Sequence, residues 1–297
     1  MVRMKMNIVV TGSNGFIGRS TVEIARKFGH WVTEFDYKSG LDILNPKHLE
    51  NVITKDVHVV IHLAGLLGTS ELLDDLDSAI AVNMTGTKNV LEATKEANAG
   101  FVGITMPDVW PSAYQATRIA GQRLAEAYNN AYGIPVTHIR AFNGYGVGQA
   151  HGPGHPQKIV PTFAYNSWTE IPIPIWGEGN QTVDLVHVDD IAMRLVLAAN
   201  QIRSGDLGNR EVFDAGTGKQ TTVLEVANMV NKITKTRNII EYLPMRKGEL
   251  PNTYLAAKDF GPWTPNIVHN QHIDLGTNSA KLTDNYRLTE AVNFYKP

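Results

Sequence analysis

Eight residues near the start of the chain, Thr11-Gly12-Ser13-Asn14-Gly15-Phe16-Ile17-Gly18, follow a short β-branched run, Ile8-Val9-Val10, and open a helical pattern. Glycines so placed suit phosphate binding. Gly12 permits a tight turn, Gly15 lets main chain approach a pyrophosphate, and Gly18 lets helix and strand pack closely. The first N–H groups of the helix and its positive dipole end then face the anion. Asp36 closes a second apolar run, 31–35, about 18 residues after Gly18. An acid near that spacing accepts hydrogen bonds from adenosine ribose hydroxyls and repels a 2′-phosphate. The expectation is a dinucleotide site that prefers NAD to NADP, lined by Gly12, Asn14, Gly15, Phe16, Ile17, Gly18 and Asp36. Lys38 is the one nearby residue that points the other way.

The elements that must position this loop follow from the hydrophobic pattern. Strands are expected at 8–10, 31–35, 57–63 (buried on both faces), 101–105 and 136–139. Helices are expected at 16–28, 79–97 and 113–132, the last ended by Gly133. Strands alternating with helices of this length imply βαβ units and a parallel sheet. After about Gly144 the texture changes to loops rich in proline and glycine, at 151–156 and 171–174. The fold class is therefore α/β: a Rossmann-type parallel sheet with helices on both faces, plus a smaller mixed α/β substrate lobe. A cofactor domain is expected from 1–147 with 182–218, and a substrate-binding lobe from 148–181 with 219–297.

Bulk properties narrow the class. A chain of 297 residues with 43% hydrophobic residues can build a sizeable core, and its formal charge of −2 disfavours electrostatic binding to nucleic acid. With no cysteine, disulfides, thiolate catalysis and Cys-ligated zinc are excluded. The opening apolar stretch is too short for a secretory signal or membrane span, so a cytoplasmic location without membrane partners is expected. His151 and His155 sit among prolines and glycines without an obvious third ligand, and no metal is expected.

The whole pattern resembles the extended short-chain dehydrogenase/reductase family, the NAD-dependent epimerase/dehydratase group acting on nucleotide sugars. The resemblance rests on T-G-x-x-G-F-I-G at Thr11–Gly18 and His62-Leu63-Ala64-Gly65. It continues through Asn83 with Gly86-Thr87, Tyr114-x-x-x-Arg118 and Arg140-x-Phe142-Asn143-x-Tyr145-Gly146. Gly177-x-Gly179-x-Gln181-Thr182, His187-Val188-Asp189-Asp190, Phe213-Asp214-Ala215-Gly216-Thr217-Gly218 and Arg246-x-Gly248-Glu249 complete it. The resemblance implies that Asp42 and Ile43 flank the adenine and that Leu63, Ala64 and Gly65 run along the cofactor. His62 is expected to be a buried structural histidine.

In this family a tyrosine and a lysine four residues on share one helix face. The phenol acts as base toward a sugar hydroxyl, helped by the neighbouring cation. Tyr114 takes the first role, and Arg118 stands where the lysine is usual. An arginine keeps charge and ribose contacts but is bulkier and differently shaped. A second departure lies at Thr105-Met106-Pro107-Asp108-Val109-Trp110, where Met106 aligns with the family's hydroxyl residue and Thr105 is one place away. Ser112 reads as the cap of the Tyr114 helix, with Gln115 three residues on.

On the substrate side, Asn143 and Arg246 resemble residues that contact the nucleotide diphosphate, and Lys158 adds charge. Val183 replaces an arginine common in the family. The resemblance implies NAD as cofactor, a nucleotide sugar as substrate and a homodimer built on the helices 79–97 and 113–132. The expected activity is NAD-dependent epimerisation through a transient keto intermediate. A nucleotide-sugar 4,6-dehydratase is the alternative, disfavoured because only Asp108 is acidic at the relevant turn. A protein that binds NAD or nucleotide sugar with little turnover is the alternative of another class.

Overall fold

The computed structural model describes residues 5–205, 211–250, 255–260 and 284–297. Twelve strands are numbered in chain order: β1 Asn7–Thr11, β2 Trp31–Phe35, β3 Val59–His62, β4 Gly100–Thr105, β5 Val136–Ala141, β6 Asn143–Tyr145, β7 Ile173–Trp176, β8 Thr182–Val183, β9 Leu185–His187, β10 Glu211–Ala215, β11 Thr221–Thr222 and β12 Ile240–Leu243. The helices are α1 Phe16–Lys27, α2 Pro46–Val52, α3 Leu76–Ile80, α4 Thr87–Ala97, α5 Ala113–Tyr132, α6 Ile159–Trp168, α7 Val188–Ser204, α8 Val223–Thr234 and α9 Asp284–Asn293.

Six parallel strands form the central sheet in the order β10-β5-β4-β3-β1-β2. The chain runs outward from β1 to β2, then returns across β1 to β3. That reversal leaves a crevice beyond the C-terminal ends of β1 and β3, where open α/β sheets bind ligands. From β2 the chain reaches β3 through a short 3-10 turn and α2, so β2 is the edge strand and Trp31 is exposed.

Apolar side chains alternate between the two faces. Ile8, Val10, Ile61, Val102 and Ile139 pack under α1 and α7, while Val9, Val60, Phe101 and Val136 pack under α2, α4 and α5. A third cluster joins α6, α8, α9 and β7, with Phe163, Ile175, Val226 and Val292 at its centre. The strand expected at 57–63 shortens to Val59–His62, all buried. The helix expected at 79–97 begins earlier, at Leu76, and is wound as a π-helix over Ala81–Gly86 before α4. This wide turn carries Asn83, whose side chain is fully buried and engaged away from its own helix. Sequence periodicity does not register such a turn.

Candidate functional site

The glycine loop leaves β1 at the crevice. A Cβ on Gly18 would lie 2.0 Å from the Gly12 carbonyl oxygen, and one on Gly12 would lie 2.6 Å from the Ala64 amide nitrogen. Neither position tolerates a side chain without moving main chain. Gly15 precedes α1 and caps it with no side chain, so the first-turn N–H groups remain available to a phosphate. Phe16 turns its ring toward Gly144 and Gly146, joining the loop to β6, and Ile17 packs on the core below.

Asp36 is buried beside this loop. Its Oδ2 accepts the Asn14 N–H at 2.9 Å and its Oδ1 accepts the Lys38 N–H at 2.9 Å. Each oxygen keeps a lone pair, so the carboxylate is oriented and can still accept from a ribose diol. Asp42 uses its side chain locally, accepting the Leu44 N–H at 2.8 Å. Ile43 turns into the core against Gly86, and its carbonyl accepts from the Asn89 side chain at 3.1 Å.

Across the crevice, β3 ends in a polar chain that fixes the 62–66 segment. His62 Nδ1 lies 2.7 Å from Thr11 Oγ1, and His62 Nε2 lies 3.0 Å from Thr87 Oγ1. Thr87 Oγ1 donates to the Asn83 carbonyl at 2.7 Å, so the network assigns the proton to Nε2. Burial, with Arg118 and His138 nearby, pushes the His62 pKa down to about 3. The residue is a neutral structural element. Leu63 donates to the Thr11 carbonyl, and Asn83 holds Leu66 by both main-chain groups while donating to Thr117 at 3.0 Å.

The Tyr114 helix starts as its sequence indicates: the Ser112 side chain accepts the Gln115 N–H at 3.1 Å. The reciprocal half of the cap is not made, because the Gln115 side chain donates to Asp108 instead. Tyr114 is half-buried in the first turn of α5, and Arg118, one turn on, is buried. Arg118 Nη1 donates to the Ala64 carbonyl at 3.2 Å, and a Cβ on Gly65 would meet the same atom at 2.7 Å. Its Nε has no partner among the described residues. Thr105 ends β4 with its hydroxyl buried and equally unpartnered, while Met106 is half-buried. Arg118 is thus brought onto the Ala64–Gly65 main chain, with Tyr114 one turn above it and Thr105 at the end of the adjacent strand.

The expected phosphate contacts are carried by β6, the start of α6 and the segment after β12. Asn143 is half-buried on β6, its N–H bonded to the Asp184 carbonyl at 3.0 Å. Lys158 precedes α6, within electrostatic reach of Glu71, Arg246 and Glu249. Burial pulls its pKa below the usual lysine value, and Glu71 pushes back. Arg246 pairs with Glu249 and lies 4.9 Å from the Trp176 ring centre, with its Nε buried and unpartnered among the described residues. Val183 is buried in β8.

Several residues escaped sequence reasoning. Trp176 stands against Arg246, and Glu71 lies within electrostatic reach of Lys158. His138, whose ring covers Gly103, is buried under α5, and burial pushes its pKa down to about 4. Asp184, fully buried, accepts from Thr217 N–H and hydroxyl, Gly218 N–H and Ala257 N–H, tying 217–218 to 257. Trp176 had a usable signal, since it immediately precedes the Gly177-x-Gly179 motif.

A doubly wound parallel sheet, an uncapped helix start behind an obligate glycine turn, and a buried acid at the next strand end define a Rossmann-type dinucleotide-binding protein. The chain belongs to the NAD dependent epimerase/dehydratase family, whose model matches residues 8–106 and 104–216. It is 26% identical to the UDP-glucose 4-epimerase of Mycolicibacterium smegmatis, over 89% of this chain and 95% of that one. It is 27% identical to a putative UDP-glucose 4-epimerase of Methanocaldococcus jannaschii, over 88% and 93%. Among solved structures, the UDP-glucose 4-epimerase of Thermus thermophilus in complex with NAD superposes with a TM-score of 0.78 at 20% identity, covering 98% of this chain and 99% of that one. NAD is the cofactor on which this family depends. No described helix is long and apolar enough to cross a membrane.

Proposed function

We propose that this chain is an NAD-dependent nucleotide-sugar epimerase, with the cofactor unit spanning 1–147 with 182–218 and the substrate lobe 148–181 with 219–297. The observation that carries the reading is the seat of Arg118 on the Ala64–Gly65 main chain, one helical turn below Tyr114. Bound NAD supplies a reversible hydride acceptor. Gly12, Asn14, Gly15, Phe16, Ile17 and Gly18 cradle its pyrophosphate, and Asp36 accepts from the adenosine ribose. Asp42, Ile43, Leu63, Ala64 and Gly65 line the remainder.

Tyr114 removes the proton from the sugar hydroxyl as that carbon is oxidised, and returns it after the keto-sugar has turned over. Arg118 stabilises the phenolate and donates to the nicotinamide ribose. Thr105, with its free buried hydroxyl, orients the reacting oxygen. Asn143, Lys158 and Arg246 bind the diphosphate, for which a guanidinium is well shaped. Asp108 is bonded to Gln115 rather than free to act as an acid, which favours epimerisation over 4,6-dehydration. The protein works as a cytoplasmic homodimer through the helical stretches 79–97 and 113–132.

The test is incubation of the NAD-loaded protein with UDP-, GDP- and dTDP-sugars, followed by NMR and mass spectrometry. Inversion at one carbon with no mass change is expected. Loss of water would identify a dehydratase, and tight binding with no turnover across the whole panel would identify a binding protein.

A further inference from the structure

Glu71 belongs to the loop that leaves β3, six residues beyond Gly65. Two devices hold its carboxylate there. Gly68 adopts φ 144°, and a Cβ on it would lie 2.9 Å from Glu71 Oε2, so the side chain folds back across the glycine. Ser70 Oγ donates to the Lys247 carbonyl at 3.0 Å, which ties the loop to the segment carrying Arg246 and Glu249. Glu71 is exposed on this loop, which Asn83 anchors at Leu66 and Ser70 ties to the 246–249 segment.

The charges of this corner are already balanced. Arg246 is paired with Glu249, and Lys158 lies within electrostatic reach of Glu71 and Glu249. Arg140 and Arg287 are committed elsewhere, to Asp214 at 2.6 Å and Asp190 at 2.8 Å. Lys247 is exposed and meets the Glu71 loop through its carbonyl oxygen. A diphosphate entering this corner draws on both Lys158 and Arg246. Two cations, two carboxylates and a dianion then leave the corner with an excess of negative charge. A sugar hydroxyl finds an acceptor in Glu71, whereas a sugar carboxylate meets repulsion.

We propose that Glu71 is a specificity-determining residue, accepting hydrogen bonds from sugar hydroxyls and rejecting sugars that bear a carboxylate, so that the substrate is a nucleoside diphosphate linked to an uncharged hexose. This rests on the reading of the cleft as a nucleotide-sugar site.

The experiment is calorimetric titration of the NAD-loaded protein with UDP-glucose and UDP-glucuronate. UDP-glucose should bind on the order of tenfold more tightly, the effect of one like-charge contact in a partly solvated site. Glu71→Gln should erase most of that ratio, and Glu71→Asp should retain it. Equal or tighter binding of UDP-glucuronate, or a ratio unmoved by Glu71→Gln, overturns the proposal. If neither sugar binds, with dTDP counterparts equally inert, the nucleotide-sugar reading itself falls. A preference for UDP-glucose without epimerised product upholds the specificity and removes only the epimerase assignment.

Discussion

Arg118 donates from Nη1 to the carbonyl oxygen of Ala64 at 3.2 Å, and its guanidinium lies where any side chain at position 65 would have to go. The arginine therefore fits only because Gly65 yields its space. Gly65→Ala should displace Arg118 or Asn83, which approaches the same point, and weaken NAD binding on the order of tenfold. Arg118→Lys restores a smaller cation, so NAD binding and turnover should persist or rise. Arg118→Met removes charge and ribose donors together, and both should fall. Native turnover by Arg118→Met would show that the proposed catalytic pair is wrong.

Tyr114 is the base in the proposed reaction, and its hydroxyl makes no hydrogen bond among the described residues. Tyr114→Phe should lower kcat by roughly 10²–10⁴-fold, the usual worth of a positioned acid–base group. Calorimetry should find NAD affinity nearly unchanged. A variant that loses NAD as well would assign Tyr114 to cofactor packing rather than proton transfer.

Asp36 holds both carboxylate oxygens toward main-chain donors of two turns, at Asn14 and Lys38. A 2′-phosphate placed there meets a fixed negative charge. NAD should bind at micromolar or better affinity and NADP much more weakly, with Asp36→Ala narrowing the gap. Equal calorimetric affinity for both cofactors in the unmodified protein would reject the assignment.

The parts of this site legible in the sequence are those with local causes. The glycine turn, Asp36 and the Ser112 cap each follow from backbone requirements within a few residues, and each has the expected local geometry. The capping box failed by half because Gln115 found a tertiary partner, Asp108, that spacing along one helix does not reveal. Glu71 and His138 were invisible for the same reason. Their environments are set by Lys158 and by Gly103 with α5, which lie far away in sequence. The strand order was also beyond reach, since hydrophobic period marks β2 as a strand without saying that it is the sheet's edge.

His62 and His138 make stability depend on acid. Burial, reinforced by Arg118, holds their folded pKa values down to about 3 and about 4. The unfolded chain takes up these protons near pH ~6.5. Their contribution is therefore complete above that pH and is lost as pH falls toward about 4, because the unfolded state binds more protons throughout that window. Each histidine adds about 1.4 kcal/mol of destabilisation per pH unit there. Urea titrations across the window should show the loss, and His138→Leu should shed one histidine's share of the slope. An unchanged slope in that variant would mean that His138 is not held neutral.

The last prediction concerns assembly. Leu73, Leu76 and Ile80 expose 41%, 46% and 40% of their surface on the turn and helix that pack beside α5. On α5 itself, Ala116, Ala120, Arg123, Ala127 and Ala131 recur at helical spacing and face outward or lie half-buried, whereas Leu124 and Ala125 turn to the sheet. Small side chains let a second helix approach to about 8–10 Å. Exposed apolar residues clustered on one face of a protein mark an interaction surface. Burying this face against a second copy is the simplest way to cover it, because the same stripe is self-complementary across a two-fold axis. Light scattering should give twice the mass of one chain at micromolar concentration. Ile80→Asp combined with Ala120→Arg should yield the mass of a single chain while NAD still binds, since Ile80 is exposed and Ala120 only half-buried. A native mass of one chain would refute the dimer, and a dimer that survives both substitutions would move its interface to another face.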